Sequence, residues 1–233
     1  LMSSDSQAAI DRFVDAVWLE DGLSANTLAA YRRDLTALAD WLSQSSGISL
    51  NAVQELHLQG YFAARHSLSK ATSANRRLTV FKRYYRWALR ERIVEVDPTL
   101  RMLAAKQALR VPKTLSEEQV DALLSAPDAN TALGLRDKAM LELLYASGLR
   151  VTELVKLKTL HVSLNEGVLR IMGKGSKERL VPFGDMARDS LTDYLQNARG
   201  ALLGAKQTDD LFVTTSGPKA GTAMSRIMFW QLI

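Results

Sequence analysis

The sequence predicts a mainly α protein in two parts: a four-helix bundle, then an α+β part built around a small β-hairpin. Three observations carry this. From Ile10 to Leu89 apolar residues recur at i, i+3, i+4 and i+7, the period of helices with one buried face. Asp97-Pro98 then interrupts that period, and the stretch from Lys106 to Lys113 holds three cations, no acids and Pro112. Further on, two short runs, Val168 to Met172 and Arg179 to Pro182, flank Gly173-Lys174-Gly175-Ser176, which reads as a hairpin turn with a lysine at its tip.

Taken in order, Asp5 or Ser6 is placed to cap a first helix whose inner face is Ile10, Phe13, Val14, Val17 and Trp18, ended by Asp21-Gly22. Ser24 or Asn26 opens a second, with Leu28, Tyr31, Leu35, Leu38 and Leu42 inward, stopped at Ser45-Ser46-Gly47. A third runs from about Asn51 to Arg65. The fourth, Ala74 to Arg92, puts Phe81, Tyr84, Tyr85, Ala88 and Leu89 on one face, which we assign to packing rather than to base stacking. Short connections between four such helices make a bundle. The expected domains are 4–104, a basic linker over 105–114, and 115–233.

The second part opens with Ser116-Glu-Glu-Gln119, a capping box ahead of Val120, Leu123 and Leu124. Met140, Leu143 and Leu144 keep helical spacing up to Gly148, the residue type that commonly ends a helix in the left-handed conformation. A short helix with Leu154 and Leu157 follows, so Arg150 falls in a tight helix-to-helix junction where a guanidinium can be aimed. Beyond the hairpin the sequence predicts a helix over about Met186 to Leu202, a short strand at Asp209 to Val213, and a helix beginning at Ser225.

Composition narrows the chemistry. With 233 residues and 47% apolar content the chain can bury real cores. It has no cysteine, which excludes disulfides, thiolate metal sites and cysteine nucleophiles. His57, His66 and His161 lack ligand spacing, so no metal or other cofactor is expected. No apolar run of about 18 residues occurs, and the chain is read as soluble and cytoplasmic. The net charge of +5 is unevenly spread: Arg65 to Arg92 holds nine Lys/Arg against Glu91 alone, whereas 116–233 holds fourteen of each sign. A basic helix beside balanced sequence suits a polyanion such as double-stranded DNA. Arg76, Arg83, Arg86 and Lys106 are the candidate phosphate contacts, with solvated charge as the other reading of each.

GLRVTELVKL (Gly148 to Leu157) followed by GKGSKERLVP (Gly173 to Pro182), together with RFVDAVWLEDGLSANTLAAYRRDL near the start, resembles the tyrosine site-specific recombinases, specifically the Xer type. The resemblance runs through nearly the whole chain. It implies an N-terminal core-binding domain of SAM-like fold and the first part of a catalytic domain. It also implies that Arg150 is the first of two catalytic arginines and Lys174 the hairpin lysine. Glu153 matches an acidic position of the motif; it either helps hold the arginine or is a surface carboxylate. The reaction implied is cutting and rejoining of DNA through a 3′-phosphotyrosyl intermediate, without metal or ATP, in the resolution of chromosome dimers at cell division. The implied partners are an inverted-repeat DNA site, a related recombinase completing a tetramer, and a DNA translocase.

The residue types fit that chemistry. A pentacoordinate phosphorane carries extra negative charge, and the planar guanidinium of Arg150 can give two bonds to non-bridging oxygens while staying charged. An ammonium desolvated beside other cations gives up its proton readily, so Lys174 suits protonation of a leaving 5′ oxygen. The family also calls for a downstream His-x-x-Arg, a further His or Trp, and a nucleophilic tyrosine. No histidine here has Arg three residues later, and Tyr31, Tyr61, Tyr84, Tyr85, Tyr145 and Tyr194 all lie outside the nucleophile's context. The expectation is a truncated recombinase, inactive in strand cleavage on its own. The competing readings are a non-catalytic protein that occupies recombination sites, and a mobile-element integrase.

Overall fold

In the computed structural model, which describes residues 3–106, 114–173, 177–215 and 217–233, helix α1 (Ser4–Asp21) starts earlier than expected. Its cap is Ser3, whose Oγ accepts the Ser6 N–H at 3.2 Å. Ser6 instead turns inward, and its hydroxyl accepts the backbone N–H of Leu50 at 3.0 Å. Gly22 at φ +59° closes α1. Ser24 caps α2 (Ala25–Ser45). The expected third helix is split: a 3₁₀ turn at Leu50–Ala52 comes first, then α3 (Glu55–Ala64). Helix α4 (Ala71–Arg90) completes the bundle.

The bundle buries Ile10, Phe13, Leu35, Leu38, Leu42, Tyr61, Phe81, Tyr84 and Tyr85, with Phe13 edge-on to Tyr84 at 5.3 Å between ring centroids. Leu89 was expected on this inner face, but it is 41% exposed, while Trp87 is 6% exposed. Periodicity fixes the centre of the α4 stripe and leaves its two flanks equivalent. The flank at Trp87 meets α1, where its ring lies 5.4 Å from Phe13.

Contacts divide the chain into two compact units, Leu1–Val111 and Pro112–Ile233. In the second, α5 (Glu117–Ser125) begins with the expected capping box: the Ser116 N–H donates to Gln119 Oε1 at 3.0 Å, and the Gln119 N–H donates to Ser116 Oγ at 3.3 Å. Helix α6 (Ala132–Ser147) ends at Gly148, φ +60°, whose N–H donates to the Leu144 carbonyl at 3.0 Å. After α7 (Val151–Val155) comes an antiparallel sheet in the order β1 (Val162–Ser163), β2 (Val168–Met172), β3 (Glu178–Pro182). The β2–β3 hairpin is the expected one, with Leu169 opposite Val181 and Ile171 opposite Arg179. Leu169 and Ile171 alternate into the core of this unit, against Met140, Leu143, Leu154, Leu191 and Phe212. The two-residue β1 is too short to leave a periodic trace.

Of two expectations for the remainder, one holds and one needs correction. The helix over 186–202 is present as one unbroken helical run from 185 to 203, α8 (Asp185–Asp193) passing into a π turn at Tyr194–Ala198, whose end residues are both fully buried, and then into α9 (Arg199–Leu203). Residues 209–213 form no strand and make only isolated bridges, Lys158 with Asp210 and Val213 with Ala223. Side chains replace the missing ladder. Tyr194 Oη donates to the Leu211 carbonyl at 2.8 Å, Arg199 Nη2 to those of Thr208 and Asp210 at 2.7 Å each, and Arg136 Nη1 to that of Val213 at 3.0 Å. Buried carbonyls need partners, and three long side chains supply them where no neighbouring strand does. Helix α10 (Arg226–Leu232), capped by Ser225, is the last element.

Candidate functional site

Arg150 sits where two local rules meet. Gly148 stops α6 in the left-handed conformation, Leu149 is buried and anchors the turn, and Arg150 is the extended N-cap of α7 at φ −69°, ψ 146°. Its side chain is 81% exposed, so the guanidinium projects from a fixed backbone.

Glu153, one turn on, is 13% exposed at its side chain and is no free surface carboxylate. Its Oε2 accepts the backbone N–H of Arg150 at 2.9 Å, and its Oε1 accepts Arg150 Nη1 at 3.2 Å. From β3, Arg179 Nη2 donates to both oxygens at 3.1 Å. Four donated bonds fill the lone-pair sites of one carboxylate. Burial pushes the Glu153 carboxyl up, but the bonds from the Arg150 backbone N–H and from the Arg179 and Arg150 guanidinium groups outweigh it and leave the group below its ordinary 4.5. Glu153 is thus an anion that orients cations and is unsuited to passing protons.

Lys174 lies outside the described residues. The strands on either side of it are in register to the end, Met172 opposite Glu178, and the Gly173 N–H donates to the Lys177 carbonyl at 2.7 Å.

The cations of α4 fall into two kinds. Arg76 makes a two-point ion pair with Asp34 of α2, Nη2 to Oδ1 at 2.9 Å and Nη1 to Oδ2, and Arg77 Nε lies 4.0 Å from the same carboxylate. Arg83 pairs with Asp21 of α1, donates to Tyr31 Oη at 3.3 Å and stands over the Tyr31 ring. Arg90 pairs with Glu20 at 2.5 Å. Arg86 and Lys106 are exposed and have no ion-pair partner among the described residues. A cleft of about 720 Å³ between α1 and α4 is lined by Lys82, Arg83, Arg86 and Arg90 together with Glu20 and Asp21.

Local spacing could not find Arg179, because 26 residues separate it from Glu153. Asp34 was missed for the same reason, lying 42 residues from Arg76.

Two family models match the chain: the phage integrase family over residues 113–233, and the phage integrase N-terminal SAM-like domain over residues 10–92. The chain is 58% identical to the tyrosine recombinase XerD of Ralstonia nicotianae over 98% of its own length and 73% of that relative's. It is 46% identical to the tyrosine recombinase XerD of Proteus mirabilis, over 98% and 72%. Among solved structures it resembles a lambda integrase tetramer bound to a Holliday junction, with a TM-score of 0.71 at 17% identity over 99% of this chain and 64% of that one. It also resembles the Tn1549 transposon integrase in complex with circular intermediate DNA, with a TM-score of 0.69 at 15% identity over 96% and 76%. The fold is the integrase fold. The chain belongs to the phage integrase family, the tyrosine site-specific recombinases.

Proposed function

We propose that residues 115–233 carry the first part of a recombinase active site, and that residues 4–104 grip the DNA beside it, joined by the basic stretch 105–114. Arg150 binds the non-bridging oxygens of the scissile phosphate and stabilises the phosphorane as negative charge grows. Lys174 protonates the departing 5′ oxygen. Glu153 is a positioning residue: it spends one guanidinium nitrogen of Arg150 and leaves the remaining donors for phosphate. The observation that carries this reading is the filled Glu153 carboxylate, which fixes Arg150 through both its backbone and its side chain. Arg86 and Lys106, exposed and without an ion-pair partner among the described residues, are the stronger phosphate contacts of the first unit, while Arg76 and Arg83 reach phosphate only from within their ion pairs. The target is an inverted-repeat DNA site, acted on in the cytoplasm by a tetramer with a related, XerC-like recombinase and under a DNA translocase, in chromosome dimer resolution.

Four of the six tyrosines are tied up or buried and unsuited to attack. Tyr84 Oη donates to Asn51 Oδ1 at 3.1 Å, Tyr85 Oη to the Leu50 carbonyl at 3.0 Å, and Tyr194 Oη to the Leu211 carbonyl; Tyr61 is fully buried. The test is incubation of this 233-residue chain with a nicked suicide duplex carrying an inverted-repeat site, at low and high salt. A salt-sensitive shift without a covalent species is expected. A protein–DNA adduct on a denaturing gel overturns the assignment, and no shift at any salt overturns the DNA-binding role.

A further inference from the structure

Among the described residues, Arg179 is the one cation that reaches Glu153 from a different element. We propose that Arg179 is a positioning residue for Arg150, acting through Glu153 and fastening the β2–β3 hairpin to the α6–α7 junction; this rests on the reading of Arg150 as the phosphate-binding arginine.

The geometry is that of a clamp. Arg179 Nη2 donates to Oε1 and Oε2 of Glu153 at 3.1 Å each, the same two oxygens that hold the side chain and the backbone N–H of Arg150. Without Arg179, Glu153 keeps only contacts to its own helix start, and a single local carboxylate can swing with the arginine it holds. With Arg179, the carboxylate is fixed from two elements and its rotation is blocked. The other terminal nitrogen of Arg179 runs along the neck of the hairpin: an ideal Cβ built on Gly173 lies 3.5 Å from Nη1. One guanidinium therefore binds the anchor of Arg150 while its other terminal nitrogen lies on the Gly173 side of the hairpin. A guanidinium holds two directions at once through a rigid fork, whereas an ammonium is a point charge. The position is also set by the sheet, since Arg179 pairs with Ile171, whose side chain is buried in the core.

The alternative is a solvent-facing charge of no consequence to Arg150, and the experiment separates the two. Arg179→Met removes the clamp and one positive charge. Lys177→Met removes a positive charge two residues away on an exposed side chain and leaves the clamp. Arg179→Lys keeps the charge without the fork. In each 233-residue chain, the mobility of the Arg150 Nε–Hε group is measured by ¹⁵N relaxation, the Glu153 carboxyl is titrated by ¹³C shift, and inorganic phosphate is titrated against the Arg150 resonance. Lys177→Met is expected to match the unsubstituted chain in Arg150 mobility and Glu153 titration. Arg179→Met should raise Arg150 mobility, move the Glu153 titration up toward 4.5, and weaken phosphate about threefold to tenfold relative to Lys177→Met, the worth of one long side chain ordered in advance. Arg179→Lys should fall between them, and it decides the question if Arg179→Met fails to fold. Equal Arg150 mobility in Arg179→Met and Lys177→Met overturns the proposal. Should phosphate leave the Arg150 resonance of the unsubstituted chain unmoved, the phosphate-binding role of Arg150 is wrong, and the mobility comparison still decides for or against Arg179.

Discussion

Asp34 of α2 and Arg76 of α4 are joined by two parallel hydrogen bonds, and the Asp34 side chain is only 10% exposed. This pair turns one of the basic residues of α4 into a structural element. Removing the carboxylate leaves Arg76 and Arg77 facing each other without a counter-charge. The cost of Asp34→Asn lies between the ~1 kcal/mol of exposed pairs and the ~3 kcal/mol of buried ones, because Arg76 is itself half exposed. Urea unfolding of the first unit should show it as a lower midpoint at unchanged slope.

Arg86 gives the opposite pattern. It is exposed and unpaired among the described residues, so Arg86→Met should leave the unfolding midpoint within about 0.5 kcal/mol of the parent. Its effect should appear in DNA binding, as a weaker complex whose logarithmic salt slope falls by about 1. Arg76→Met is expected to move both readouts. Equal salt slopes for parent and Arg86→Met would remove Arg86 from the interface.

The pH profile of the second unit has two edges. Glu153 lies below its ordinary 4.5, so its bonds contribute stability that is present above that value and is lost as pH falls through the lower folded value. Tyr194 is displaced the other way: burial pushes its phenol up to about 12, against the opposing pull of Arg199. Ionisation is then easier in the unfolded chain, and stability is lost as pH rises from about 10 toward 12. Glu153→Gln should shrink the acid edge, leaving the part due to Asp210, which is also held below its ordinary value, and Tyr194→Phe should flatten the alkaline edge in thermal melts taken across pH.

Gly134 tests whether helix propensity or packing decides. It lies in the first turn of α6, where Ala would ordinarily gain about 1 kcal/mol over Gly. A Cβ built there falls 1.9 Å from the backbone oxygen of Asp128 and 2.9 Å from Thr131 Oγ1, the atom that caps the helix by accepting the Gly134 N–H. Backbone must shift to admit it, so Gly134→Ala should destabilise by about 1–3 kcal/mol, the usual range for overpacking. A stabilised variant in calorimetry would mean that the Asp128 loop yields freely.

What the residues disclosed in advance follows the range of each interaction. Ser24, the Ser116–Gln119 box and Gly148 act within four residues, and each stands where the sequence placed it. The pairing of β2 with β3 was legible because the two strands are close in sequence. Contacts that span the fold were not: Trp87 against Phe13, Asp34 under Arg76, and Arg179 on Glu153 each depend on which element lies alongside, and a single periodic stripe carries no such information. The segment 209–213 shows the same limit. Its apolar run suggests a strand, but Tyr194, Arg199 and Arg136 satisfy its carbonyls from positions that only the folded chain brings near.

Asn75 offers the last test, on where the first unit ends. Its side chain copies a backbone pairing: Nδ2 donates to the Ala105 carbonyl at 2.9 Å, and Oδ1 accepts the Ala105 N–H at 2.8 Å. This pins the chain to α4 immediately ahead of Lys106, so the basic stretch leaves the bundle from a fixed point rather than from Asp97-Pro98. Two neutral bonds of about 1 kcal/mol each correspond to about thirtyfold protection of the Ala105 amide against exchange. Asn75→Ala should abolish that protection, and Asn75→Asp, which keeps the acceptor and loses the donor, should retain part of it. Amide exchange at Ala105 that is equally fast in the parent and in Asn75→Ala would show that the clamp does not hold in solution, and the connection would then begin earlier in the chain.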